Sequence, residues 1–86
     1  MEKPYIPISC SVYDVLEVAA MKKRRLIFTI GGIEQELLVL DVYARGKEEY
    51  LEGVDPLTNI PHILRLDTIE SLFDPVDQKL YSPKAC

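Results

Sequence analysis

The sequence predicts a mainly β domain with one N-terminal α-helix, folded as a small, highly bent β-barrel of about five strands. Three observations carry this. A stretch of helical period precedes residue 22. The period drops to two from Leu26 onward, and glycine- and proline-bearing turns then cut the chain into short segments. With 86 residues one domain is expected, its helix at about 11–21, its barrel at about 24–74 and a tail at 75–86.

The elements follow in order. Pro4 and Pro7 push their predecessors out of the helical region, so residues 1–9 are expected to be extended. Ser11 followed by Asp14 fits a capping box. In the helix, Val12, Leu16 and Ala19 form a stripe suited to the core, whereas Cys10, Asp14, Glu17 and Met21 form one that looks outward. Leu26–Ile30 reads as a strand, and Gly31-Gly32 as a two-residue hairpin, since glycine reaches positive φ without steric cost. Glu34–Val42 is the second strand, apolar on both faces at Leu37–Leu40. A polar loop around Gly46 leads to strands at Glu49–Val54, His62–Leu66 and Thr68–Phe73, the last ended by Asp74-Pro75. Leu16, Phe28, Leu38, Leu40, Leu64 and Ile69 are the expected core, with the helix covering one opening or edge of the barrel. Sm-like and OB-like barrels both fit.

Composition narrows the function. Hydrophobic content of 48% excludes a disordered chain. No apolar run approaches the ~20 residues that span a bilayer, and no basic-then-apolar leader opens the sequence, so a cytoplasmic protein is expected. Net charge is −4. Four of the ten basic residues sit at Lys22–Arg25, which leaves 14 acids against 6 bases elsewhere. Such a surface repels nucleic acid and attracts a basic partner. Two cysteines make neither a disulfide framework nor a zinc site.

Candidate chemistry is sparse. Asp14 and Glu17 have the residue types of an acid/base pair, but one histidine, His62, and no phosphate-cradling glycine loop leave no enzymatic constellation, and no metal or cofactor is expected. Cys10 reads as a small buried hydrophobe. Lys22–Arg25 has the charge to hold phosphates, yet cations also favour a helix C-terminus and no aromatic platform surrounds the run. Arg45 and Lys47 flank Gly46 in a loop, available to an acidic or hydrogen-bonding partner.

Three segments carry a family resemblance. Tyr5-x-Pro7-Ile8-x-Cys10-x-x-Tyr13-Asp14-x-Leu16-Glu17 resembles the N-terminal signature of the Rof (YaeO) family, small bacterial inhibitors of the transcription terminator Rho. Glu49-Tyr50-Leu51 is similar to that family's central strand, and Leu64-Arg65-Leu66-Asp67-x-Ile69 to its late segment, so the likeness spans about Tyr5 to Pro75. Ser11 and Val12 stand where some members carry two acids, and Lys22–Arg25 is more basic than the family pattern. The resemblance implies an Sm-like barrel, monomeric when free. It implies binding to the N-terminal region of Rho, beside the site where Rho's OB-type domain grips pyrimidine-rich RNA. Cys10, Tyr13, Asp14, Glu17, Arg45 and Lys47 are the residues it implies for Rho contact, with no direct contact to nucleic acid or membrane. The competing expectation is an Sm-like protein that binds RNA itself.

Overall fold

In a computed structural model, which describes residues 10–82, a single helix precedes one antiparallel sheet. Helix α1 (Cys10–Lys22) leads into β1 (Arg25–Ile30), β2 (Ile33–Arg45), β3 (Glu48–Val54) and β4 (Pro61–Arg65). A 3₁₀ turn (Leu66–Thr68), β5 (Ser71–Asp74) and β6 (Lys79–Tyr81) complete it. The sheet order is β4-β3-β2-β1-β5-β6. The expected lead-in at residues 1–9 lies outside the described residues.

The apolar stripe of α1 packs as its spacing demands. Val12, Leu16, Ala19 and Ala20 are buried, while Asp14, Glu17 and Met21 are exposed. Ser11 is not at the helix boundary, because α1 begins at Cys10 and places Ser11 inside the helix. A capping serine needs non-helical backbone, and Asp14 falls beyond the first turn. At the other end Lys23 takes φ 54°. Arg24 N–H donates to Ala19 O at 2.9 Å and Lys23 N–H to Ala20 O at 3.3 Å, the two bonds of a Schellman stop.

Gly31 and Gly32 both have positive φ and close the β1–β2 hairpin, as expected. Beyond it the inner face is built by Leu26 and Phe28 of β1, Leu37 and Val39 of β2, Leu51 of β3 and Leu72 of β5, with Leu66 and Ile69 beneath. Leu38 and Leu40 are therefore corrected: they alternate with Leu37 and Val39 and are only half-buried. Leu64 is also half-buried, packed against the core. Leu16, Phe28 and Ile69 are buried as expected.

Two devices bend the sheet. The β2–β3 register shifts between Val39 and Asp41, a bulge that frees the Leu40 carbonyl to accept from Lys23 Nζ at 3.1 Å. Opposite, Gly53 lets β3 approach β2 closely, since a Cβ there would lie 3.1 Å from Leu38 O and 3.2 Å from Leu37 Cβ. A straight strand of 13 residues would run about 43 Å, longer than the molecule's 36 Å, so β2 has to curve. Gly53→Ala is expected to destabilise by about 1–3 kcal/mol in urea unfolding, because backbone must yield to admit the methyl. A variant as stable as the parent would show that the bend does not need this glycine.

The curl brings Gln35 of β2 to His62 of β4, Nε2 to Nε2 at 3.2 Å, across the inner side. The sheet is nevertheless open, and it has six strands, not five: among the described residues β4 and β6 are its edges and do not pair. The expected fifth strand at Thr68–Phe73 begins later, at Ser71. The preceding residues instead form the 3₁₀ turn, tied by Ile69 N–H to Leu66 O at 3.2 Å and Thr68 Oγ1 to Arg65 O at 2.6 Å. The expected tail contributes β6, which pairs Leu72 with Tyr81 and Phe73 with Leu80.

Candidate protein-docking face on the helix

Tyr13 sits on α1 at the border between its buried and its exposed side. Its ring is half-buried and packs against the core cluster. Burial pushes its phenol above the ordinary value of 10.0, and the nearby charges of Glu17, Glu49 and Asp41 push the same way. Charges from three elements are thus felt at one tyrosine: Glu17 of α1, Asp41 of the β2 bulge and Glu49 of β3. The bulge is what makes this possible. Past it, Val42 and Ala44 share the inner face with Leu51 and Glu49, their register partners, which turns Glu49 toward the helix side.

Asp14 belongs to the other flank of α1. With Val15, Val18, Arg24, Asp74, Asp77 and Tyr81 it lines a shallow depression of about 200 Å³ between the helix and the β5–β6 end of the sheet. Arg24 Nη1 lies 3.4 Å from Asp74 Oδ2 and 3.5 Å from Asp77 Oδ2. Three carboxylates against one guanidinium leave this wall negative. Asp74 is buried, and its Oδ1 accepts from the backbone N–H of Val76 at 2.9 Å and of Asp77 at 3.3 Å, so it also fixes the β5–β6 turn.

The expected site residues are therefore distributed. Asp14 and Glu17 share the solvent side of α1, but they face different neighbourhoods. Arg45 and Lys47 are exposed at the β2–β3 hairpin, whose Gly46 has φ 64°. Glu49, two residues past Lys47, joins this hairpin to the surroundings of Tyr13. The side chain of Cys10 lies outside the described residues. Sequence reasoning missed Asp41, Glu49 and the Arg24–Asp74–Asp77 group, whose convergence depends on a bulge and on long-range pairing that local pattern does not encode.

The basic run is largely committed to the fold. Lys23 ends the helix and reaches Leu40 O, and Arg24 pairs with Asp74 and Asp77. Lys22 and Arg25 are exposed. Among the described residues no group of three or more His, Cys, Asp or Glu could hold a metal ion, and no helix is long and apolar enough to cross a membrane. No protein-family model and no curated protein matches the chain.

Proposed function

We propose that this chain inhibits Rho-dependent transcription termination by docking the exposed side of α1 on the N-terminal region of Rho, where it blocks the primary RNA-binding site. The observation that carries this reading is the convergence of Glu17, Asp41 and Glu49 on Tyr13, with Asp14 on the adjoining flank. A half-buried tyrosine that feels several carboxylate charges suits a surface that otherwise grips phosphates, since carboxylates can pair with the same lysines and arginines. Arg45 and Lys47 supply hydrogen-bond donors at one end of the contact. A helix followed by a bent antiparallel sheet is compatible with the Sm-like barrel that the family resemblance implies, with β6 added at one edge.

The test is a Rho-dependent termination reaction paired with a gel shift on short pyrimidine-rich RNA. The protein is expected to displace RNA from Rho, to shift no RNA alone and to restore read-through. The variant Lys22→Gln/Arg25→Gln removes the two exposed cations of the basic run and leaves the structural pair Lys23 and Arg24 in place. Inhibition is expected to survive in it unchanged. If the parent shifts RNA by itself and this double variant loses that shift, the chain is an RNA-binding Sm-like protein instead.

A further inference from the structure

The sheet is apolar on both sides. α1 and the 3₁₀ turn cover its inner face, and among the described residues no element lies over the outer one. An antiparallel sheet with one solvated face ordinarily alternates apolar and polar residues. The Leu37–Leu40 run breaks that alternation, and the strand registers show where its outward half lies.

Residues directly opposite in a ladder share a face. Leu38 lies opposite Val54 of β3, and Val54 opposite Pro61 of β4. Diagonal to Leu38, Ile27 of β1 lies opposite Phe73 of β5, and Phe73 opposite Leu80 of β6. One apolar strip therefore crosses all six strands, about 24 Å at the usual strand spacing. Its ends are the most open: Leu80 is 72% exposed, and Ile63, beside Pro61 on the same face of β4, 62%. Exposed apolar strips of this extent mark interaction surfaces.

Charge says what kind of partner fits. Glu36 stands two residues before Leu38 and Glu52 two before Val54. Because β2 and β3 run in opposite directions, the two carboxylates flank the strip on opposite sides. Among the described residues neither takes part in an ion pair. Glu34, exposed, extends the first flank, and Arg25, opposite Leu38, offsets one of the three charges.

We propose that the outer face of the sheet docks a cationic amphipathic segment of a protein partner. Its apolar side chains cover Leu38, Val54 and Ile63, and its lysines or arginines meet Glu36 and Glu52. A wholly apolar segment would leave those carboxylates facing an apolar body, and an acidic one would be repelled. This face lies on the side of the sheet away from α1, so the proposal is independent of the Rho reading.

The probe is a synthetic peptide of about 14 residues with leucine on one helical face and lysine on the other, about 21 Å long as a helix. It is titrated into the ¹⁵N-labelled full chain, with Kd read by calorimetry and no Rho present. Amide shifts are expected to gather at Ile27, Leu38, Val54 and Ile63. Glu36→Lys/Glu52→Lys, checked for native far-UV circular dichroism, is expected to weaken binding by about tenfold or more. Should that variant not fold, Glu36→Gln/Glu52→Gln takes its place, with a loss of about threefold expected. A peptide of the same composition with its leucines scattered around the helix is expected to bind about tenfold more weakly. A full chain that does not bind the probe overturns the proposal. So do shifts that gather on α1, a scattered peptide that binds as well, or a folded variant that binds like wild type. Strip amides that shift with the protein's own concentration overturn it too, since the occupant would then be a second copy.

Discussion

Reversing Asp14, Glu17 and Asp41 together to lysine is expected to abolish Rho inhibition while leaving the fold intact. All three side chains are exposed, so the change falls on the surface and not on the core. Charge-assisted contacts desolvated at an interface cost roughly 2–5 kcal/mol when one partner is lost, about 30-fold to several thousand-fold in affinity. If α1 docks on Rho as proposed, reversal adds repulsion from a basic groove. The neutral set Asp14→Asn, Glu17→Gln and Asp41→Asn is expected to fall between wild type and the reversal. Its remaining affinity should depend less on salt, because fewer screened charge pairs contribute. Titration of Rho by each variant, with thermal unfolding as the control for folding, reads this directly. Wild-type inhibition by a folded triple reversal would remove the acidic face from the mechanism.

Asp74→Ala is expected to produce the largest loss of stability of any polar substitution in the domain. One carboxylate at this position holds Arg24 through Oδ2 and two backbone N–H groups through Oδ1, in a buried setting. Truncation leaves those donors without their acceptor. Asp77 remains beside Arg24 as a partial substitute, which keeps the cost near 2–4 kcal/mol and below that of fully orphaning a buried ion. For a domain of this size the thermal midpoint is expected to fall by roughly 10–25 °C. Asp74→Asn keeps an oxygen for the turn and is expected to lose about half as much. An Asp74→Ala variant within about 1 kcal/mol of wild type would show that the turn is held elsewhere.

Legibility in the sequence followed the range of the forces involved. The core stripe of α1 was readable because Val12, Leu16 and Ala19 recur at the helical period against polar neighbours. The β1–β2 turn was readable because two successive positive φ angles leave glycine with little competition. Parity failed in β2, where the run Leu37–Leu40 offers no alternation, and Leu37 and Val39 took the positions assigned to Leu38 and Leu40. β6 was invisible for a different reason: three residues at an edge are strand only because β5 lies beside them. The site divided the same way. Helical spacing alone puts Asp14 and Glu17 on the exposed side of α1, where the structure has them. Asp41 and Glu49 reach Tyr13 through a bulge and a strand pairing that no local pattern announces.

The pairing of β1 has a consequence for the order in which the chain folds. β1, β2, β3 and β4 form consecutive hairpins, so each can zip onto its predecessor as soon as it is made. The second edge of β1 waits for β5, with Ile27 meeting Phe73 across about half of the chain. On a ribosome this leaves a nascent meander with Phe28 lacking its partner Leu72 until nearly the whole sequence has emerged. Truncation before Ser71 is therefore expected to yield a sticky, chaperone-dependent fragment, and in refolding experiments the β1–β5 junction is expected to form last.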